Sequence, residues 1–454
     1  MKKLIAGILF TSLASVPVLA GQGMQEGSQL SSAQVARLEG IIDADGDRLI
    51  EIFQDIHQNP ELGFMEERTA AIVAKELDAL GYDVKTGIAG TGVVGVMKNG
   101  DGPVVMYRAD MDANAAEEKT GLDYASTRRV VNREGVEVPV AHLCGHDAHT
   151  TWLLALANVM AQMKDSWSGT LVLVAQPAEE LIEGAIAMVS DGLYTDNRTP
   201  EPDYLIAMHT APIATGSVVS SEGVLMAGTE QLDVTIYGRS SHGSMPQYSK
   251  DAGLMAAYAV VQYQAIVARV LDPRDTAVIT VGAINAGVEN NTIPGEAELK
   301  LNFRFFNEGV REQLYRGVKA VSEGVARTYG MPDDRMPTIV RKGYSSALVN
   351  DSELTSHIAE HLVANEVVTA RNMITEFLPV TGSEDAHMLV DGLDDVKVGF
   401  LFVGIAPPEA MQQAKLAGVE FPFANHQSTF QVDLEAIPYG SKVATATVMN
   451  LLAK

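Results

Sequence analysis

The residues from 141 to 149 carry the densest set of chemically reactive side chains in the sequence. This stretch, Ala-His-Leu-Cys-Gly-His-Asp-Ala-His, contains the only cysteine of the chain and three of its ten histidines. Thiolate and imidazole are ligands that borderline-soft divalent metals prefer. An apolar run typical of a buried helix follows. Cys144 and His146 could therefore reach one metal ion together, although a buried structural cysteine beside surface histidines is the alternative.

Further ligand-type residues stand at the ends of short apolar runs that predict buried strands. Asp110 and Asp112 follow one run, the adjacent Glu179 and Glu180 follow a second, and His209 ends a third. In an α/β domain, side chains at the carboxyl ends of strands commonly face a ligand crevice. Each residue alone would also suit an ordinary loop or a solvated surface. Together with the Cys-Gly-His stretch, the three strand ends predict a metal site.

The two adjacent glutamates suggest a division of labour. Neighbouring carboxylates repel each other, so a nearby cation would account for such a pair at a strand end. One carboxylate can bind the metal while the other holds a proton. Another histidine, His426, lies near the C-terminus between Asn425 and Gln427.

The N-terminus has the pattern of a secretory signal peptide over residues 1–20. Lys2 and Lys3 precede an apolar run from Leu4 to Leu19, and small residues offer a cleavage site before Gly21. The run is too short to span a membrane. No later run predicts a transmembrane helix. The sequence therefore predicts an exported protein, either periplasmic or secreted.

Composition narrows the class of partner. The formal net charge is −25 at pH 7, and a strongly acidic surface disfavours nucleic acid and anionic membranes as partners. A single cysteine cannot form an internal disulfide. Metal ligation would give Cys144 a protected role in an oxidising compartment, and simple burial could also protect it.

The order of predicted elements divides the mature chain into two domains. Residues 31–227 and 341–454 predict an α/β domain, with a central mixed sheet flanked by helices. Residues 228–340 predict a smaller α+β insert with the order strand, helix, strand, strand, helix, which is large enough for its own core. A sheet of this kind can use its edge strand and helices to dimerise.

These motifs, in this order, resemble the M20 family of metallopeptidases and amidohydrolases, in particular its aminoacylases, hippurate hydrolases and indole-acetyl-amino-acid hydrolases. The resemblance spans nearly the whole mature chain, and its most specific parts are Cys-Gly-His-Asp and Gln-Pro-Ala-Glu-Glu. The matching stretches are 57–66, 108–112, 142–149, 176–180, 208–216, 238–246, 291–294, 383–385 and His426. The resemblance implies a two-metal site in an α/β catalytic domain, interrupted by a lid or dimerisation domain.

The resemblance also implies a role for each site residue. Glu179 would be the general base, and His242 of the insert would stabilise the oxyanion, often in the site of a partner subunit. Asp112 would orient a ligand, while Asn291 and Arg304 would contact the carboxylate or oxyanion of the substrate. The implied metal ligands are Cys144, His146, Glu180, His209 and His426.

The function implied by the resemblance is hydrolysis of the amide bond of N-acyl amino acids or short peptides by a metal-activated water. The cofactors would be two divalent ions per chain (zinc, manganese, cobalt or nickel), and the protein would be a homodimer through the insert. A carboxypeptidase or dipeptidase of the same family and a catalytically silent binding homologue are the alternatives. Ala113 and Asn114 replace the Leu-Pro usual in the family after Asp112, which leaves the substrate preference open.

Overall fold

A computed structural model describes residues 30–454 of the chain. The predicted signal peptide at residues 1–20 lies outside the described residues. Within residues 30–454, no helix is long and apolar enough to cross a membrane.

The helices are α1 (Ser32–Gln58), α2 (Glu67–Ala79), α3 (His146–Gln162), α4 (Gly184–Ser190), α5 (Ala252–Arg269), α6 (Glu308–Thr328), α7 (Ser352–Ala364), α8 (Pro408–Ala417) and α9 (Ala436–Leu451). The strands are β1 (Asp83–Ile88), β2 (Gly92–Asn99), β3 (Val104–Asp110), β4 (Arg129–Val131), β5 (Glu137–Pro139), β6 (Gly169–Gln176), β7 (Tyr204–Ala214), β8 (Val218–Val219), β9 (Gly223–Met226), β10 (Gly228–Tyr237), β11 (Ser241–His242), β12 (Ala277–Ala286), β13 (Thr292–Ile293), β14 (Glu296–Phe305), β15 (Thr338–Ser345), β16 (Leu348–Asn350), β17 (Met373–Ile374) and β18 (Lys397–Ala406).

Eight strands form one mixed sheet in the order β1-β2-β6-β3-β7-β18-β8-β17. The central strands β6, β3, β7 and β18 run parallel to one another, whereas β1, β2 and β8 pair antiparallel with inner neighbours. Central strands covered on both faces read as continuous apolar runs rather than as alternating ones. The predicted central mixed sheet flanked by helices is confirmed.

Helix α3 is the buried helix that the apolar run predicts. It packs on one face of the sheet together with α1 and α9, and its residues from Trp152 to Ala157 are all buried. The indole N–H of Trp152 donates to the carbonyl of Ala436 at 3.2 Å, which ties α3 to the start of α9. The packing fixes the first residue of α3, His146, at the carboxyl edge of the sheet.

The insert is a second layered unit with its own core. Its antiparallel sheet has the order β12-β14-β10-β15, and α5 and α6 cover one face. Burial alternates along β10 and β14, as expected for strands with one covered face. The first and last strands of the insert are neighbours, because Thr229 pairs with Ser345. The chain therefore enters and leaves the insert at the same place.

The insert sheet extends past the boundary at residue 340 that the sequence suggests. Its strand β15 ends at Ser345, and charged Arg341 and Lys342 interrupt the apolar pattern there. Edge strands commonly carry such charges. Arg341 Nε lies 2.7 Å from Glu230 on β10, and Lys342 pairs with Asp233 on the same strand.

A buried ionic contact joins the last turn of α1 to the first turn of α3. His57 Nδ1 lies 2.6 Å from Asp147 Oδ2, and His57 Nε2 lies 3.2 Å from Glu118 Oε2. Burial disfavours the charged ring, but the hydrogen bonds to both carboxylates raise the pKa of His57 to about 9. The imidazolium is therefore the stable form at neutral pH.

This contact makes folding stability depend on pH. Because the pKa of His57 is higher in the folded state than the ordinary 6.5, its stabilisation is complete below pH 6.5 and is lost as pH rises through about 9. The difference in pKa corresponds to about 3 kcal/mol. We expect chemical denaturation to show the wild type losing its advantage over His57→Gln across this window. The control variant His357→Gln replaces a ring whose pKa is lowered, so its stability should still fall as pH rises through about 9. If the wild type is as much more stable than His57→Gln at pH 9.5 as at neutral pH, the prediction is wrong.

Candidate metal centre

The candidate residues converge because neighbouring parallel strands end at the same edge of the sheet. Asp110 ends β3 and pairs in register with Gln176 at the end of β6. The 3₁₀ turn Glu179–Leu181 follows β6, and His209 lies on β7 beside β3. The N-terminus of α3 adds His146 to the same edge.

Gly145 determines how Cys144 enters α3. Its φ is +90°, and a Cβ at this position would lie 2.5 Å from Thr210 Oγ1, so a side chain here would clash as well as strain the backbone. The Thr210 hydroxyl instead donates to the Cys144 carbonyl at 2.6 Å. A glycine between the cysteine and the histidine thus lets both face β7.

Two groups of ligand-type atoms share the Cys144 thiol. Cys144, His146 and His209 form one group, and Cys144, Glu180 and His426 form the other, with all ligand atoms of a group within 4.8 Å of one another. The loop carrying His426 is anchored beside the thiol, because the His426 N–H donates to the Leu143 carbonyl at 2.7 Å. The structure therefore brings all five implied ligands together.

The free atoms of this cluster fit a divalent cation. His146 Nε2 and Glu180 Oε1 are buried and have no hydrogen-bond partner among the described residues. Glu180 Oε1 does lie 3.2 Å from His426 Nε2, but as an ion pair without hydrogen-bond alignment. His209 Nδ1 lies 2.7 Å from the Thr210 carbonyl, which leaves Nε2 facing the Cys144 thiol at 3.4 Å. Metal-binding histidines are usually oriented through the opposite ring nitrogen in this way.

The electrostatics of the cluster favour a thiolate at Cys144. Burial raises the pKa of the thiol, but the neighbouring imidazoles of His209 and His146 outweigh burial and lower it to about 6. The thiolate is the form of cysteine that binds metals. Asn425 Nδ2 also lies 3.4 Å from the Cys144 sulfur and can donate a hydrogen bond to it.

The adjacent glutamates have pKa values displaced in opposite directions. Burial and the negative charges of Glu384 and Glu180 raise the pKa of Glu179 well above its usual range. Burial also acts on Glu180, but His426 and His146 outweigh it and lower the pKa of Glu180 to about 2. Such a separation leaves one carboxylate ionised as a ligand and the other able to hold a proton.

Asp112 orients the turn and one of the ligands. Its carboxylate accepts the backbone N–H groups of Glu179 and Glu180 at 3.1 and 2.9 Å. Its Oδ1 also lies 3.2 Å from His146 Nδ1, which directs His146 Nε2 toward the cluster. The Asp112 carboxylate thus holds the backbone N–H groups of both glutamates and the ring of His146.

A buried ionic network below the glutamates was not apparent from the sequence. Arg108 is fully buried and contacts Asp110, Glu384 and Asp385 at 2.7, 2.9 and 3.3 Å. Gln176 bridges the network by donating to Asp385 at 2.6 Å. An arginine at the centre of an apolar strand, with Glu-Asp in a distant loop, was the only available signal.

His149 is excluded as a ligand by its hydrogen bonds. Its Nδ1 lies 2.6 Å from Asp110 Oδ1, and its Nε2 accepts the Thr210 N–H at 2.8 Å, so both ring nitrogens are engaged. Burial lowers the pKa of His149 to about 3, which keeps the ring neutral. Its ring stacks on that of His146, and its contribution to the centre is therefore structural.

The cluster forms the floor of a cavity of about 440 Å³ between the two domains. Thr229, Gln231, Asn302 and Arg304 of the insert line one side. Arg304 Nη1 contacts the Ser383 hydroxyl. Among residues 30–454 no carboxylate forms an ion pair with Arg304, although the charge of Glu179 acts on it. The large apolar residues of the lining, called here the apolar wall, are Ile182, Ile213, Val219, Met226, Phe377, Val380, Phe402 and Phe421.

Two predicted site residues lie away from this cavity in the same chain. His242 is exposed and pairs with Thr292 between β11 and β13, while its Nδ1 contacts the Ser244 hydroxyl at 2.8 Å. Asn291 is exposed beside it, and its carbonyl accepts the Gly243 N–H. Neither side chain lines the cavity.

Comparisons with known proteins show which family the chain belongs to. The family model for peptidase family M20/M25/M40 matches residues 106–415. A hippurate hydrolase from Campylobacter jejuni is 35% identical over 76% of this chain and 85% of its own length. An N-acetyl-L-cysteine deacetylase from Bacillus subtilis is 32% identical over 79% of this chain and 80% of its own length. A crystal structure from methicillin-resistant Staphylococcus aureus has a TM-score of 0.74 and 26% identity, covering 93% of this chain and 100% of that one. The sequence, the fold and the site together establish that the chain belongs to peptidase family M20/M25/M40.

Proposed function

We propose that this protein is a metal-dependent hydrolase that cleaves the amide bond of N-acyl amino acids. The observation that carries the proposal is the pair Glu179 and Glu180, whose pKa values diverge on the floor of a cavity that also holds the ligand cluster. Two divalent ions (zinc, manganese, cobalt or nickel) bound there would supply Lewis acidity at the scissile carbonyl and at the attacking water.

Glu179 performs the proton transfers in this proposal. Its carboxylate removes a proton from the attacking water and returns it to the leaving amine. A carboxylate with a raised pKa holds the proton taken from water more firmly until the leaving amine accepts it. Asp112 keeps Glu179 in place by accepting its backbone N–H, and the positive charge of Arg108 acts on its carboxylate.

Arg304 is the group that recognises the substrate carboxylate. It is a half-buried guanidinium that lines the cavity and forms no ion pair within the described residues, although the charge of Glu179 acts on it. A carboxylate binds such a group through two parallel hydrogen bonds. The relatives named hippurate hydrolase and N-acetyl-L-cysteine deacetylase support an acylated amino acid as the substrate.

The apolar wall of the cavity is the proposed binding site for the acyl group. The Phe377 and Phe402 rings lie 5.7 Å apart, and Phe402 in turn lies edge-on to His209 of the cluster. An aromatic acyl group would bury against this wall, whereas an acetyl group would leave much of it in water.

Wild-type protein loaded with zinc or manganese should release amino acids from N-benzoyl substrates faster than from N-acetyl substrates or dipeptides. Phe377→Ala should lower kcat/KM for the benzoyl substrate about 30-fold, because burying an aromatic ring contributes about 2 kcal/mol. The acetyl substrate should change less than about threefold. Leu378→Ala, at a site that is 86% exposed, is the matched control. If Phe377→Ala lowers kcat/KM equally for both substrates, the apolar wall is not the binding site for the acyl group. Faster cleavage of dipeptides by the wild type would favour the peptidase alternative.

The two glutamates should separate metal binding from turnover. Glu179→Gln should retain metal and lose kcat by about 10³-fold, because general acid-base groups contribute 10²–10⁴. Glu180→Gln should lose metal, measured by elemental analysis after dialysis. The control Glu183→Gln alters a carboxylate in the same segment outside the cluster. Loss of metal from Glu179→Gln, or full metal in Glu180→Gln with normal kcat, would reverse these roles.

We also propose that two copies associate through their inserts. The edge strand β12 and the adjacent helix α5 expose apolar side chains, including Tyr258, Val261 and Ile284, which are 53%, 72% and 53% exposed. His242 and Asn291 lie on the same insert and do not line the cavity of their own chain. Association would allow His242 to stabilise the oxyanion in the partner subunit.

A complementation experiment tests this arrangement. Glu179→Gln and His242→Ala should each be inactive alone, and mixing them after dissociation should restore activity because a mixed dimer contains one intact site. Val261→Asp should shift the mass in light scattering from dimer to monomer. Leu416→Asp, on an 82% exposed position of α8, should not. A monomeric wild type with full activity would contradict the proposal.

The cellular location remains the one that the N-terminal sequence predicts. We propose export to the periplasm or beyond, on the basis of the signal-peptide pattern at residues 1–20. N-terminal sequencing of the secreted fraction checks the cleavage before Gly21.

A further inference from the structure

Glu66 is a buried carboxylate that the proposed reaction does not use. It immediately precedes α2 and is inaccessible to solvent. Resting on the proposed function, we propose that Glu66 is a positioning residue, which holds the backbone turn bearing Glu179 and Glu180 in its functional conformation. The residue contacts no candidate ligand side chain directly.

The contacts of Glu66 join three separate segments. Its Oε1 accepts the Ala178 N–H at 2.9 Å and the Phe64 N–H at 3.0 Å. Its Oε2 accepts the hydroxyl of Thr91, between β1 and β2, at 2.6 Å. Both oxygens are thus satisfied, and among the described residues the hydrogen bond from the Ala178 N–H is the direct contact that links Glu66 to the turn of the centre.

The turn that Glu66 holds is a strained one. Ala178 has φ +53° and ψ +39°, and Phe64 has φ +60°, so both residues adopt the left-handed conformation. This conformation costs a non-glycine residue about 1 kcal/mol or more and persists only where surrounding contacts enforce it. Glu66 supplies an acceptor to both residues at once. Without it, Ala178 would relax and carry the following glutamates away from the cluster.

Glu66 and Asp112 divide the control of this turn. Asp112 accepts the N–H groups of Glu179 and Glu180, and Glu66 accepts that of Ala178, so three consecutive backbone donors end on two buried carboxylates. Asp112 also contacts His146, and its replacement would disturb a ligand directly. Glu66 therefore offers the cleaner test of positioning through the backbone.

The effect of Glu66 should depend on its acceptor oxygen and not on its charge. Burial and the charge of Asp112 raise the pKa of Glu66 to about 7, so the neutral form is accessible. In Glu66→Gln, the amide oxygen can still accept from Ala178 and Phe64, while the Thr91 hydroxyl can rotate to accept from the amide N–H₂. Glu66→Ala removes every one of these contacts.

The experiment compares Glu66→Ala, Glu66→Gln and the exposed neighbour variant Glu67→Gln in the full-length mature protein. Zinc affinity by chelator competition should fall at least about tenfold in Glu66→Ala, the range seen for lost outer contacts of metal ligands. With N-benzoyl-glycine, kcat per zinc-loaded chain should fall about 100-fold, because small displacements of catalytic groups have effects of this size. KM should change less than about threefold, since the Arg304 and apolar contacts remain. Glu66→Gln and Glu67→Gln should stay close to wild type.

Two outcomes would overturn the positioning role. One is unchanged zinc affinity and unchanged kcat in folded Glu66→Ala, and the other is a Glu66→Gln variant as impaired as Glu66→Ala. If Glu66→Ala does not fold, Thr91→Val should lower kcat while leaving KM unchanged, and a normal kcat in Thr91→Val would count against the role.

Zinc affinity reports on the turn independently of hydrolysis. A wild type that binds zinc but cleaves no N-acyl amino acid would therefore refute the proposed function. The zinc affinities of the Glu66 variants would still test the positioning role.

Discussion

An excess of buried negative charge at the carboxyl edge of the main sheet is the constraint on which the site depends. One arginine, Arg108, lies at its centre, and isolated buried charges are costly unless they are paired. The carboxylates gathered around it are Asp110, Asp112, Glu179, Glu180, Glu384 and Asp385. One guanidinium does not neutralise six carboxylates, so the remaining charge is balanced by protonation, by imidazolium groups or by bound cations.

The constraint explains why neighbouring residues of the same type behave differently. Glu180 faces the imidazoles of His146 and His426 and stays ionised, whereas Glu179 faces Glu384 and holds its proton more tightly. His149 is neutral because burial lowers its pKa more than the carboxylate of Asp110 raises it. The position of each side chain relative to the arginine and the imidazoles sets its chemistry.

The sequence predicts the ligand cluster well, because its members have distinctive types at recognisable places. The edge of a parallel sheet is indicated by three features of the sequence. They are a Cys-Gly-His before an apolar helix, a Glu-Glu pair after one apolar run and a histidine that ends another. Glu66 and Arg108 were not assigned roles, because a carboxylate that accepts backbone N–H groups leaves no periodic signature. The insert boundary also escaped prediction, since the charges of Arg341 and Lys342 resemble a loop until their partners on β10 are known.

The adjacent entry and exit of the insert have a consequence for how the catalytic sheet is assembled. Strand β18 completes the centre of that sheet, yet it follows the insert in the chain, and His426 comes later still. Because Thr229 pairs with Ser345, a folded insert brings residues 228 and 345 together and spares β18 the loop-closure entropy of the intervening chain. A folded insert, which contributes none of the five ligands, would therefore lower the entropic cost of bringing β18 and His426 to the ligand cluster.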